Sequence, residues 1–135
     1  MTKPPPTDVE FVENDFAIIE LHPDGFVHIH SKPVLHTFAQ AEVIVDTVQG
    51  HHERLGHKAR MLVDLRPLLS VERDARNLYR AERHARNVFG SALLIGSGVS
   101  QILGNFFMGL NKRTLAPTQL FTNVQAAREW LDSLR

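Results

Sequence analysis

Two short strand-like runs, Phe16–Leu21 and Gly25–Ser31, flank the tetrapeptide His22-Pro23-Asp24-Gly25, and this segment constrains the fold more than any other. Proline pre-sets a turn and Asp-Gly supplies the positive-φ step, so the segment predicts an antiparallel β-hairpin. The pattern then becomes helical from Leu35 to Leu55. Leu35, Phe38, Glu42, Val45 and His52 fall on one stripe with Ala41, Val48 and Leu55 beside it, and Gly50 and Gly56 mark fraying and a stop. Arg60–Leu65 is a short apolar run carrying Asp64, as expected of a strand buried on both faces, and Pro67 closes it.

Ser70 or Glu72 opens a second helix running to about Val88, with Val71, Ala75, Leu78, Ala85 and Phe89 inward. A strand at Ala92–Ile95, a Gly-Ser-Gly-Val-Ser turn and a third helix carrying Ile102, Leu103, Phe106, Phe107 and Leu110 follow. Pro117 precedes a last strand, Gln119–Phe121. Thr122-Asn-Val-Gln125 has capping-box spacing for a final helix that buries Ala126, Ala127, Trp130, Leu131 and Leu134. The order β-β-α-β-α-β-α-β-α predicts an α/β fold: a mixed sheet with an N-terminal β-hairpin and helices packed over it. With 135 residues the chain is the size of one domain; residues 1–14, which include Pro4-Pro5-Pro6, read as a flexible N-terminal tail and 15–135 as the domain.

Composition narrows the function classes. Fifteen Lys and Arg balance fifteen Asp and Glu, a formal net charge of +0, so no global field draws the chain to nucleic acid or anionic lipid. The absence of cysteine excludes disulfides, thiolate zinc sites, iron–sulfur clusters and cysteine catalysis, and fits a reducing cytoplasm. No apolar stretch follows the N-terminal lysine as a secretory signal would. Val88–Asn111 carries no charge, but its glycines and serines read as strand, turn and helix rather than a transmembrane segment.

This order of elements, with Leu62-Val-Asp64-Leu65 closing the central strand, Leu93-Leu-Ile95 in the next and Leu120-Phe-Thr-x-x-x-Ala-Ala-x-x-Trp-Leu131 at the end, resembles the STAS / SpoIIAA-like superfamily. The resemblance runs from about Phe16 to the C-terminus, and its nearest look-alikes are small stand-alone bacterial proteins without an established activity. It implies a SpoIIAA-like (STAS-like) mixed sheet. Families of that fold include anti-sigma-factor antagonists switched by serine phosphorylation, cytoplasmic domains of anion transporters, and lipid-binding relatives. The antagonists continue from Asp-Leu through a turn to Asp-Ser-Ser-Gly. Asp64-Leu65 matches, but Glu72-Arg73-Asp74-Ala75 stands where the phosphoacceptor motif belongs. Ser70 is the nearest hydroxyl and reads as a helix cap rather than a phosphorylation site; Asp74 offers a fixed negative charge near the missing phosphate, where the helix dipole already favours a carboxylate.

Arg73, Arg76, Arg80 and Arg83 recur at helical spacing as one basic stripe, extended by His84 or Arg86. The stripe reads as a solvated face paired with Glu72 and Glu82, or as a docking surface for carboxylate or phosphate groups. Without aromatic interleaving it does not suggest nucleic acid. Together with Asp64, Ser70 and Asp74 it forms the expected partner-binding surface.

Gly96, Ser97, Gly98 and Ser100 form a tight turn whose backbone N–H groups could alternatively cradle an anion. Phe106, Phe107 and Met108 make the third helix apolar around much of its girth, suited to a homodimer surface or to the wall of a ligand pocket. His28 and His30 leave one face of a strand at a spacing metal sites use. Further ligands would have to come from His22, another histidine or a carboxylate such as Asp24, and the pair reads as a tolerated sheet face, with no metal or other cofactor expected. His51, His52 and His57 cluster near a helix C-terminus that favours positive charge. No nucleophile elbow, paired-carboxylate motif or metalloprotease helix is present. The sequence therefore points to a non-catalytic, homodimeric interaction module, with a small-ligand carrier for a lipid or anion as the alternative.

Overall fold

His22-Pro-Asp-Gly25 makes the expected turn: Gly25 sits at φ 97°, its N–H donates to His22 O at 3.1 Å, and Asp24 accepts from the Phe26 N–H at 3.0 Å. The computed structural model describes residues 7–96 and 116–134. The turn joins β2 (Ala17–Leu21) to β3 (Phe26–Ser31), which pair antiparallel with Glu20 opposite His28 and Ile18 opposite His30. Glu10–Glu13, which the sequence reading leaves in the tail, is a further strand, β1, antiparallel to β2. Parallel pairing then runs from β3 to β5 (Ala59–Asp64), β7 (Val88–Leu94) and β8 (Thr118–Phe121). Among the described residues the mixed sheet has six strands in the order β1-β2-β3-β5-β7-β8.

Helix α1 (Phe38–Leu55) opens on Thr37, which forms a capping box with Gln40, and stops at Gly56 in the left-handed conformation, φ 78°. It runs through Gly50 without a break. Its inner face is Ala41, Ile44, Val45, Val48 and His51, while Phe38 is exposed. The expected stripe through Phe38, Glu42 and His52 is thus rotated, because Leu35 and His36 do not join the helix. They form the two-residue strand β4, parallel to β6 (Ser70–Val71).

The second helix is two. Arg73–Arg80 (α2) ends where Ala81 turns extended at ψ 156°, and Glu82–Ala85 makes a single turn, α3. No propensity explains a break in this Arg- and Ala-rich run. Long-range pairing does, since Ala59 donates to Asn87 O at 2.8 Å and Val88 already pairs in the sheet. Strand β7 therefore starts at Val88, taking in Phe89 and Gly90, well before the expected Ala92. Ser70 is not a cap: it lies in β6, and the N-cap residue is Glu72, whose carboxylate accepts instead from the Phe38 N–H at 2.9 Å.

Helix α4 (Val124–Asp132) is capped by Asn123, one residue after the expected Thr122, through the Ala126 N–H at 3.0 Å. It buries Ala127 and Leu131, with Trp130 and Leu134 partly covered and Ala126 exposed. Alternation along the sheet separates the two layers. Ile19, Val27, Ile29 and Met61 pack toward α1, whereas Phe26, Leu62, Ala92 and Leu94 pack toward α4. No helix among the described residues is long and apolar enough to cross a membrane.

Candidate functional site

The β4–β6 ribbon is the part of the fold where buried and exposed chemistry meet. Its pleat turns His36 and Val71 inward and leaves Leu35 and Ser70 outside. Leu69 donates its N–H to Val34 O at 3.2 Å, which brings it beside Leu35. Leu69 is 63% exposed, Leu35 46% and Phe38 39%. Leu35 and Leu69 thus lie on adjoining segments and Phe38 follows two residues after β4, near the exposed Ser70, Glu72, Arg73 and Asp74.

Beneath the ribbon lies a cavity of about 60 Å³, lined chiefly by aliphatic side chains such as Ile29, Met61, Leu68 and Leu93, together with His36, Tyr79, Arg80 and His84. His36 Nε2 and the Tyr79 hydroxyl are hydrogen-bonded at 2.6 Å, and the two rings stack at 5.8 Å. Burial depresses the His36 and His84 imidazoles to about 4, so both are neutral at pH 7. Burial also raises the Tyr79 phenol above its usual value. Arg80 Nε and His84 Nδ1 are buried with no hydrogen-bond partner among the described residues.

The expected basic stripe is divided. The break at Ala81 carries Arg83 onto α3, where it pairs with Glu42 at 3.2 Å and Asp46 at 2.7 Å, both on α1, rather than with Glu82. Arg76 donates to Val71 O at 2.9 Å and Arg80 to Asn77 at 2.8 Å, while Arg73 remains exposed beside Asp74 at the start of α2. Asp64 grips Arg66 through both oxygens, at 2.9 and 2.8 Å, and takes the Arg66 N–H at 3.0 Å. Burial alone would raise its carboxyl, but the Arg66 hydrogen bonds outweigh that and hold it below the usual range. Gly96 follows β7; Ser97, Gly98, Ser100, Phe106, Phe107 and Met108 lie outside the described residues.

A second constellation occupies the opposite sheet face, beyond the part α4 covers. His28 and His30 do leave that face together, stacked at 3.9 Å between ring centres. The third member is Glu20, a carboxylate as the sequence reading allows, but not the Asp24 it named as the example. Glu20 Oε2 is hydrogen-bonded to His30 Nε2 and lies 3.8 Å from His28 Nδ1; Oε1 accepts from His22 Nε2 at 3.2 Å. Counting outward from the hairpin turn places Glu20 opposite His28, and that was the available signal. Burial, then the neighbouring His30, pushes His28 down to about 4. Burial works to raise the Glu20 carboxyl, yet hydrogen bonds from His30 and His22 hold it below its ordinary value. His51, His52 and His57 do not act together: they bond to His22 O, Asn87 Oδ1 and Lys58 O respectively.

A model of a family described as a domain of unknown function, DUF7793, matches residues 19–135. The chain belongs to this family. Its fold is SpoIIAA-like: the DUF7793 chain superimposes on an uncharacterized protein of the DUF3478 family with a SpoIIAA-like fold from Shewanella loihica PV-4, with a TM-score of 0.54 and 16% identity, covering 91% of each chain. No curated protein matches the DUF7793 chain.

Proposed function

We propose that this DUF7793 protein is a non-catalytic regulatory module that docks a protein partner through the corner formed by the β4–β6 ribbon, the Asp64–Asp74 segment and the start of α2. The observation that carries this reading is the exposure of Leu35, Phe38 and Leu69 on segments that the β4–β6 pairing, the Leu69–Val34 hydrogen bond and the Phe38–Glu72 hydrogen bond bring together. Single exposed apolar residues need no explanation, but a contiguous group rimmed by charge is the usual composition of a docking patch. Arg73, Asp74 and Glu72 supply that rim. In an ungapped reading of the sequence Glu72-Arg73-Asp74-Ala75 replaces the phosphoacceptor motif of the SpoIIAA-like antagonists, so Asp74 would supply a fixed negative charge in place of a switchable phosphate. A second copy of the chain is one partner this surface admits.

The test is capture of partners by tagged protein, with native mass spectrometry of the same samples. Leu69→Asp should remove a stoichiometric protein partner or a homodimer, whereas Phe11→Asp, at an exposed apolar position on β1, should retain it. Equal capture by both variants would remove the corner from consideration.

The cavity supports a second reading, a small-ligand site, because buried Arg80 Nε and His84 Nδ1 have no hydrogen-bond partner among the described residues. Its volume of about 60 Å³ is well below the roughly 150 Å³ that accommodates benzene, which restricts the occupant to a small acid or the polar end of a larger molecule. Acetate or inorganic phosphate at a hundred times its dissociation constant would add about 2.7 kcal/mol of stability. A rise in melting temperature that His84→Leu abolishes is the expected result; no rise with either anion would discard the reading.

A further inference from the structure

We propose that Glu20, His28 and His30 bind one divalent transition-metal ion, zinc in the first instance, on the sheet face beside α4. The three residues come from two adjacent strands whose register is set by a tight turn, so their relative positions are built into the hairpin and do not depend on a mobile loop. One donor atom from each lies within 4.8 Å of the other two. Bonds of about 2 Å to a tetrahedral ion put donors roughly 3.3 Å apart, a change that side-chain rotation supplies.

The donor set selects the ion. Two imidazole nitrogens and one carboxylate oxygen suit zinc, and also the iron(II), cobalt(II) and nickel(II) that compete for such sites, whereas calcium and magnesium call for oxygen alone. Three protein donors leave at least one position for water or an added ligand. The surroundings prepare the ligands as well. His22 donates to the second oxygen of Glu20 at 3.2 Å, the type of outer contact that orients a ligating carboxylate. Of the nearby cations, Arg66 is paired with Asp64, and the Arg128 guanidinium lies 3.9 Å above the Phe26 ring.

The full chain, stripped with a chelator and dialysed, is titrated with zinc chloride by calorimetry, and bound metal is counted by mass spectrometry. One zinc per chain is expected, with a raised unfolding temperature. Cobalt(II) in place of zinc should give visible absorption bands of low-coordinate geometry. The double variant His28→Ala, His30→Ala should lose the equivalent, Glu20→Gln should weaken binding at least tenfold, and His57→Gln, at an exposed histidine, should leave the titration unchanged. If the double variant does not fold, His30→Gln decides the matter, because its side chain is 38% exposed and its replacement is tolerable; a tenfold loss is again expected. No stoichiometric zinc in the wild type, or the same titration after replacement of the histidines, would overturn the site.

Discussion

At the scale of single residues, His36 and His84 set the acid sensitivity of the protein. Both are buried, with 5% and 3% of their surface exposed, and both titrate near 4 when folded against an ordinary value of 6.5. Between these values the unfolded chain binds more protons than the folded one, so stability is complete above about pH 6.5 and declines as the pH falls toward 4. Each histidine costs about 2 kcal/mol at pH 5 relative to pH 7 by this linkage. His28 adds to the loss. Denaturant unfolding at the two pH values should therefore show a drop of roughly 4 kcal/mol or more, and His84→Leu should remove about 2 kcal/mol of it. An unchanged drop in that variant would contradict burial of a neutral His84. That His84 is buried at all was hidden in the sequence, where it reads as an extension of a basic stripe; only the break at Ala81 turns it inward.

At the scale of elements, two glycines of similar appearance have opposite roles. A Cβ on Gly90, in β7, would collide with Leu134, lie 3.0 Å from the carbonyl oxygen of Pro117 and 3.4 Å from Trp130. The backbone carbonyl cannot rotate away, so Gly90→Ala should destabilise by about 1–3 kcal/mol. At Gly50, inside α1, a Cβ meets nothing within 4 Å. Gly50→Ala should stabilise by up to about 1 kcal/mol, and urea midpoints measure both changes. The sequence marks Gly50 as a weak point of the helix. Its silence on Gly90 has a physical cause: the close approach there is between β7, the start of β8 and α4, which are far apart along the chain. The same limit explains Arg60. It reads as the first residue of a strand, yet its guanidinium reaches the C-terminus of α4, donating to Leu131 O at 3.0 Å and Leu134 O at 2.7 Å.

At the scale of the whole molecule, the mixed sheet separates three surfaces that the sequence lists without order. The α1 side holds the cavity, the β4–β6 ribbon roofs it and presents the apolar corner, and the opposite face carries Glu20, His28 and His30 beside α4. Because Leu69 is exposed, Leu69→Asp should change the unfolding free energy by no more than about 0.5 kcal/mol, so that any loss of a partner reports docking rather than unfolding. The division of the arginines belongs to this scale too: Arg83 is spent on Glu42 and Asp46 of α1, a pairing across the fold that helical spacing along α2 cannot foresee.

The sequence by itself determined the α/β class, the hairpin at His22–Gly25, the central strand ending at Asp64 and the terminal helix over Leu131. Turn chemistry and hydrophobic period act over a few residues and are written where they act. Only the tertiary structure decided the end of α2 at Ala81, the pairing of Leu35–His36 with Ser70–Val71, the burial of His84 and the meeting of Glu20 with His28 and His30. Each of those joins residues distant along the chain, and the free energy that selects them is the burial and hydrogen bonding gained when the two segments close on each other, which no local pattern records.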